Sequence, residues 1–216
     1  MNIRTILRHK GEYMKKLIPY LIIALILMGA SLLSEEDKQI SMVQNSSKSV
    51  VSILQGLSIG TGFFVAENYI LTAYHVVDEG DETHVKSDRG GTFYDIVAVD
   101  KKFDLALIKT DEYMIGKPLK FADSVTSGQD AYTIGFPRFL DKMVVKGLVS
   151  HVYDNDKMRG TIFDIHGYEG GSGSPLLNSK GEVIGLLKGL HKSDTSFITS
   201  VHIKDIKSFL ARNGIQ

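Results

Sequence analysis

Three side chains, His75, Asp104 and Ser172, have the types and the order along the chain that nucleophilic hydrolysis requires. A hydroxyl is a poor nucleophile at neutral pH unless an adjacent base accepts its proton, and that base needs a third group to fix its tautomer. Each residue alone has an ordinary alternative, since many histidines only pack or face solvent and many aspartates only begin a strand. The proposed chemistry therefore requires a fold that brings all three together.

The serine lies in a glycine-rich turn, Gly170-Gly171-Ser172-Gly173-Ser174-Pro175. Glycine permits unusual backbone angles and lets the chain approach a ligand closely. Such a turn can direct the N–H groups of Gly170 and Ser172 at one point, where they would stabilise the negative charge of an attacked carbonyl oxygen. The alternative for this motif on its own is a flexible surface turn.

The elements that would position these residues are short strands. His75 follows the apolar run ILTA at 70–73, and Asp104 precedes the run LALIK at 105–109. From Val50 onward, short apolar runs alternate with turn residues, which is typical of an all-β fold. Strands are predicted at 49–54, 61–66, 69–72, 83–87, 93–99 and 105–109, and then at 130–134, 144–152, 161–165, 175–177, 183–187 and 196–201.

The two groups of six strands are separated by a polar segment at 111–128. This division predicts two six-stranded antiparallel β-barrels, over about residues 49–110 and 129–202. A C-terminal helix is expected to pack on the second barrel, because Ile203, Ile206, Phe209 and Leu210 recur at helical spacing.

Four segments in this order, GTGFFV at 60–65, LTAYHVV at 71–77, DLALIK at 104–109 and GGSGSPLLN at 170–178, resemble the bacterial trypsin-like serine peptidases. The resemblance extends from about Val50 to the end of the chain. Its first half is more similar to the HtrA/Deg proteases, and GSGSPLLNSKGEVIGLL at 171–187 is more similar to the glutamyl endopeptidases of the V8 type. The resemblance implies a chymotrypsin-like double barrel with the active site between the barrels, hydrolysis of peptide bonds through an acyl-enzyme, and no cofactor.

The resemblance also assigns roles to individual residues. Ser172 matches the nucleophile, His75 the general base and Asp104 the orienting carboxylate, while the amides of Gly170 and Ser172 match the oxyanion hole. A second set matches the substrate-binding strand and the walls of the specificity pocket: His166, Lys188, Gly189, Leu190, Thr199 and Ser200.

The chain departs from the family pattern at two positions. Gly171 stands where the family usually has Asn or Asp, and it is expected to loosen the oxyanion turn. Leu187 stands where glutamyl endopeptidases carry a pocket histidine, so a preference for glutamate is not supported. His166 would favour an acidic side chain if it is protonated in the pocket; the alternative is a structural or solvent-facing histidine.

The N-terminal region has the pattern of a membrane signal. Leu17–Leu33 is a run of seventeen residues without a charge, preceded by a basic segment at 1–16 and followed by acidic residues. This pattern predicts a transmembrane signal anchor with the rest of the chain on the extracytoplasmic side. The alternative is a signal peptide cleaved near Gly29-Ala30-Ser31, which would give a secreted protein. Residues 34–48 are predicted to be a polar tether to a peptidase domain at 49–216.

Composition excludes several kinds of chemistry and partner. The chain has no cysteine, so disulfides and thiol nucleophiles are excluded. Its formal net charge is zero, which gives no reason to expect nucleic acid. Its histidines lack the spacing of metal ligands, and no metal is expected. The expected partners are protein or peptide substrates and the membrane, and the oligomeric state stays open.

Two other functions compete with a serine endopeptidase. The first is a catalytically weak or inactive scaffold of the same fold that only binds peptides. The second is an acyl hydrolase on another fold. The second is disfavoured because an α/β-hydrolase has the order Ser, Asp, His, and its G-x-S-x-G elbow does not fit the turn around Ser172.

Overall fold

The computed structural model describes residues 14–24, 34–56, 58–78, 83–87, 90–111, 113–138, 140–155, 158–190 and 197–215. The chain divides into one unit that ends at Ile40 and a second over Ser41–Gln216. Residues 14–24 are helical and exposed. Within these described stretches, no helix combines the length and the apolar character needed to cross a membrane. Residues 25–33 of the predicted anchor lie outside the described residues, so the anchor stays a prediction.

The segment expected to be a polar tether forms helix α1, Glu35–Ser47. It contains neither Gly nor Pro, and Ser34 caps its start. The Ser34 hydroxyl accepts a hydrogen bond from the Asp37 amide at 3.0 Å, and the Asp37 carboxylate accepts one from the Ser34 amide at 3.1 Å. Met42 and Ser46 are buried against the turn at Gly181, so the end of this helix packs on the folded domain.

The first barrel is a closed antiparallel sheet. Its strands are adjacent in the order β1-β2-β3-β6-β5-β4. Their bounds are β1 Val50–Gln55, β2 Ser58–Ala66, β3 Tyr69–Ala73, β4 Thr83–Ser87, β5 Gly90–Asp100 and β6 Leu105–Thr110.

The second barrel is also closed and antiparallel, in the order β10-β11-β12-β9-β8-β7. Its strands are β7 Asp130–Gly135, β8 Met143–Asp154, β9 Arg159–Asp164, β10 Pro175–Leu177, β11 Val183–Leu190 and β12 Ile198–His202, followed by helix α2, Ile203–Arg212. The predicted pair of six-stranded antiparallel barrels with a C-terminal helix is thereby confirmed.

Apolar side chains from both barrels form the core, and helix α2 adds to it. Ile203, Ile206, Phe209 and Leu210 are all buried, as their spacing predicts. Burial of each such side chain contributes about 1.5–3 kcal/mol, so this face holds the helix on the domain. At its start, the His202 ring nitrogen Nδ1 accepts a hydrogen bond from the Lys204 amide at 3.2 Å.

Candidate active site

His75 and Asp104 are joined by two hydrogen bonds. His75 lies in a single 3₁₀ turn, Tyr74–Val76, directly after β3, and Asp104 directly precedes the neighbouring strand β6. His75 Nδ1 is 2.8 Å from Asp104 Oδ2, and the His75 amide donates to Oδ1 at 3.0 Å. Because a carboxylate only accepts hydrogen bonds, Nδ1 carries the proton and Nε2 keeps its lone pair. In the His75–Asp104 pair, Nε2 of His75 can therefore accept a proton as a base.

The backbone of Asp104 is held in an uncommon conformation. Its φ is 61°, and among the described residues it is the only non-glycine residue with positive φ. This left-handed conformation costs about 1–2 kcal/mol. The cost is offset by the hydrogen bonds to His75 and by a bond of 3.1 Å from the Tyr74 amide to the Asp104 carbonyl. Strained residues of this kind cluster at functional sites.

The environment of His75 raises its pKa above the ordinary value. The largest cause is the hydrogen bond to Asp104, and the charges of Asp104 and Asp78 act in the same direction. Burial and the positive charge of Lys188 lower the pKa and oppose this shift. The side chain of His75 is 45% exposed and that of Asp104 is 12% exposed, so the imidazole is accessible to a substrate while its partner is shielded.

The turn before Ser172 leaves two backbone amides free. The Gly171 amide donates to the Tyr168 carbonyl at 3.0 Å, and Gly170, the third residue of this turn, has φ 91°. A type II turn requires this positive φ, whereas Glu169 has a negative one. Neither the Gly170 nor the Ser172 amide donates to an acceptor in the described part of the chain. Both are thus available to the oxyanion of a reacting carbonyl.

Thr61 of β2 ties this turn to both barrels. Its amide donates to the Ser172 carbonyl at 2.9 Å, and its hydroxyl donates to the Gly170 carbonyl at 2.8 Å. The same hydroxyl accepts a hydrogen bond from the Phe136 amide at 3.0 Å. The Thr61 carbonyl accepts one from the Thr72 hydroxyl of β3 at 2.7 Å. One residue of the first barrel therefore fixes the backbone on both sides of Gly171.

Gly173 brings the serine turn against the strand that leads to His75. Its φ is 84°, and a Cβ built on it would lie 3.0 Å from the Ala73 amide nitrogen and closer still to Thr61 O and Thr72 Oγ1. Real Cβ atoms essentially never approach below that distance. Only glycine allows this contact, and it places Ser172 and His75 on two segments that touch.

Gly171, expected to loosen the oxyanion turn, lies against an aromatic ring. A Cβ at this position would be 3.0 Å from the Tyr168 carbonyl oxygen and 3.1 Å from Cε2 of its ring. Gly170 and Gly171 are both buried. A side chain at this position would therefore require Tyr168 to shift by a few tenths of an ångström.

No hydrogen bond joins the Ser172 hydroxyl to His75 among the described residues. The two segments touch through Gly173 and Ala73, but the hydroxyl forms no hydrogen bond within the described residues, and Ser172 is half-buried. In enzymes without substrate, catalytic hydrogen bonds are often long and tighten only in the complex. His75 and Ser172 therefore lie on segments in contact with each other, without a hydrogen bond between the imidazole and the hydroxyl.

A groove of about 720 Å³ runs from His75 and Asp104 into the second barrel. Five of the six residues expected to bind substrate line it, namely Lys188, Gly189, Leu190, Thr199 and Ser200. Sequence reasoning missed its opposite wall, which strands β8 and β9 form with Tyr153, Arg159 and Thr161 among others. The groove is named the substrate groove below.

His166 is exposed and is not among the residues that line the substrate groove. The space beside the next residue, Gly167, is filled by Leu190 and Ile198, whose methyl carbons lie 2.5 and 2.9 Å from where a Cβ would be. Within the described stretches, no cluster of three or more His, Asp or Glu side chains has an arrangement that would hold a metal ion.

Comparison with known proteins gives a family match. The family described as "Trypsin-like peptidase domain" matches residues 60–186. A Pseudomonas putida F1 protein, "Probable periplasmic serine endoprotease DegP-like", is 39% identical over 140 residues, which are 60% of this chain and 28% of the relative. A protein of the same description from Marinomonas sp. MWYL1 is 32% identical over 152 residues, or 67% and 32% of the two chains. The chain thus spans less than a third of these relatives.

Solved structures share the fold at low sequence identity. The crystal structure of the serine endoprotease from Yersinia pestis has a TM-score of 0.73 and 21% identity, covering 81% of this chain and 66% of that one. The active form of a Mycobacterium tuberculosis protease has the same TM-score and identity, covering 81% and 85%. At this identity the likeness concerns the fold alone.

The family match includes all three residues of the candidate triad and covers more than half of the chain. The resemblance to HtrA/Deg proteases that the motifs indicated is confirmed by the DegP-like relatives. The chain therefore belongs to the trypsin-like peptidase family.

Proposed function

We propose that this protein is a serine endopeptidase with Ser172 as nucleophile, His75 as general base and Asp104 as the residue that orients His75. The observation that carries the proposal is the His75–Asp104 pair, bonded at 2.8 and 3.0 Å, beside a serine turn with two free amides. This combination supplies a base, a nucleophile and charge stabilisation within one site.

The reaction begins with attack of the Ser172 oxygen on the carbonyl carbon of the peptide, while His75 Nε2 accepts the hydroxyl proton. The Gly170 and Ser172 amides donate to the oxyanion, each contributing about 3 kcal/mol to the transition state. His75 then gives its proton to the leaving amine, and an acyl-enzyme remains on Ser172. Water, deprotonated by His75, releases the acid and restores the serine.

Cleavage of an unfolded protein such as casein by the full chain in detergent tests this proposal. Ser172→Ala is expected to lower the rate by about a thousandfold or more, because the nucleophile is lost. Ser179→Ala, at an exposed position of the β10–β11 turn, is the matched control and should keep full activity. Cleavage that persists in purified Ser172→Ala protein would exclude the assignment.

The competing function, a scaffold that binds peptides without cleaving them, has one feature in its favour, namely the missing hydrogen bond between Ser172 and His75. The two functions differ in the reactivity of the serine. A fluorophosphonate that labels Ser172 supports the peptidase, whereas peptide binding without labelling or cleavage supports the scaffold.

We further propose that the peptidase domain acts on the extracytoplasmic side. The DegP-like relatives are described as periplasmic, and basic residues precede the apolar run at 17–33. A fusion of alkaline phosphatase after residue 216 should be active if the domain is exported and inactive if it is not.

A further inference from the structure

Strand β11 has an open edge that begins beside the Ser172 turn. Strand β10 pairs with β11 only as far as Leu186, whereas β12 pairs with it as far as Leu190. Just beyond the end of the pairing with β10, the Gly173 amide donates a hydrogen bond to the Leu187 carbonyl at 2.8 Å. Along Lys188–Leu190, β11 has β12 on one side, and on its other side no strand of the described chain pairs with it. An extended peptide can add to this edge as a further strand.

The direction of such a peptide follows from the rest of the barrel. Every strand pair in both barrels is antiparallel, and an antiparallel peptide runs from Leu190 toward Lys188. It then reaches the Ser172 turn with its C-terminal end. The peptide residues that lie along this edge of β11 are therefore those that precede the scissile bond.

The surroundings of this edge carry positive charge. A second cavity of about 380 Å³ adjoins the substrate groove and shares Met158, Arg159, Lys188 and Ser200 with it. Lys102, from the loop before Asp104, lines this second cavity together with the buried Asp205. Three cations thus surround a space whose described lining contains only two carboxylates, those of Asp104 and Asp205.

Both carboxylates already have partners. Asp104 binds His75, and Asp205 Oδ1 binds Arg159 Nη1 at 2.5 Å. Lys102 and Lys188 are exposed and form no ion pair within the described residues. Lys188 and His75 line the same groove, and the charge of Lys188 lowers the pKa of His75 while that of Asp78 raises it. Lys188 thus lines the substrate groove and Lys102 the adjoining cavity, and neither is neutralised by a carboxylate of the described residues.

We propose that the substrate groove selects peptides with an acidic side chain two to four residues before the scissile bond, received by Lys188 and Lys102. This rests on the proposed function, since it names the substrate class of that site. Exposed charge pairs contribute modestly and are screened by salt. The preference should therefore be a factor of a few and should depend on ionic strength.

A set of fluorogenic peptides that differ at one position tests the proposal with the full chain. Glu, Gln and Lys are placed in turn at each of the three positions, and kcat/KM is measured at about 20 mM and about 500 mM salt. At low salt, Glu should be favoured over Gln about fivefold at one position or more, with Lys below Gln. At high salt the preference should fall below about twofold.

Charge variants locate the effect. Lys102→Gln combined with Lys188→Gln should abolish the preference for Glu, and Lys102→Glu with Lys188→Glu should reverse it in favour of Lys. Lys180→Gln removes another exposed lysine, at the β10–β11 turn, and should leave the preference unchanged. Equal cleavage of Glu and Gln peptides, or a preference that survives the double variant, would overturn the proposal.

Binding to Ser172→Ala protein separates this proposal from the proposed function. Anisotropy of labelled peptides reports affinity without cleavage. If the unsubstituted chain cleaves no peptide while the Ser172→Ala protein binds Glu peptides about fivefold more tightly than Gln peptides, the acidic preference is retained and the peptidase assignment is lost. If cleavage depends on Ser172 but neither assay shows a preference for Glu, the peptidase assignment is retained and the acidic preference is lost.

Discussion

Replacement of Gly173 by alanine tests how the serine turn is held against the strand that leads to His75. The substitution adds one methyl group at a residue with φ 84°. That group would lie within 3.0 Å of the Ala73 amide and nearer still to Thr61 O and Thr72 Oγ1. All three are parts of the β2–β3 pair, which cannot move away without disturbing the first barrel. The Ser172 turn must therefore shift.

The size of the effect follows from these distances. Alanine in the left-handed region costs about 1–2 kcal/mol wherever it occurs. In addition, the turn has to retreat by about 1 Å to restore ordinary contact, and displacements of this size cost about a hundredfold in rate. A hundredfold loss corresponds to about 2.7 kcal/mol in the activation barrier.

A second glycine provides the matched control. Gly128 has nearly the same φ, 87°, but a Cβ on it would meet nothing within 4 Å. Gly128→Ala should lose about 1–2 kcal/mol of unfolding free energy in urea and keep kcat/KM. Gly173→Ala should lose at least as much stability and about a hundredfold in kcat/KM, while circular dichroism shows it folded. Equal kcat/KM for the two folded variants would refute the contact between turn and strand.

Further predictions concern the His75–Asp104 pair, the hydrogen bonds of Thr61 and the half-buried ion pair between Arg159 and Asp205. Because the Asp104 hydrogen bond raises the pKa of His75, kcat/KM should rise with pH, with a midpoint above the ordinary histidine pKa. Asp104→Ala should lower that midpoint, and a pH profile that does not move would contradict this prediction. Thr61→Val should lose about tenfold in kcat/KM, because the Gly170 and Phe136 partners are left unbonded, whereas Thr61→Ser should keep most of the activity. Arg159→Met should lower the free energy of unfolding in urea by about 2 kcal/mol, because it leaves the buried Asp205 carboxylate unpaired. Adding Asp205→Asn should restore most of that stability, and an unchanged unfolding midpoint in Arg159→Met would argue against this ion pair.

The strands were predictable because they leave local marks in the sequence. Each apolar run of the two barrels ends at turn residues, and strand β6, for example, was expected at 105–109 and is found at Leu105–Thr110. Helix α2 has a strongly amphipathic face, and its start was expected at Ile203, where it begins. Helix α1 lacks such a face, since only Met42 and Ser46 are buried, and its polar sequence resembles a linker.

The support of the site was not predictable from local sequence. The Thr61 hydroxyl bonds to Gly170 across 109 positions of the chain, and nothing around Thr61 marks a partner so distant. Gly171 is expected to loosen the turn, and nothing in the local sequence indicated that Tyr168 lies against it. Motif order alone indicated His75, Asp104 and Ser172, whereas the contacts that hold their backbones depend on how two barrels meet.

The most direct test of the whole account is the location of a covalent adduct on the full chain. After treatment with a fluorophosphonate, peptide mass spectrometry should find the modification on Ser172 and on no other serine, because the proposed triad assigns the general base and the two oxyanion donors to that hydroxyl. His75→Ala should slow this labelling by at least about a hundredfold. An adduct on another serine, or labelling at the same rate without His75, would contradict the assigned triad.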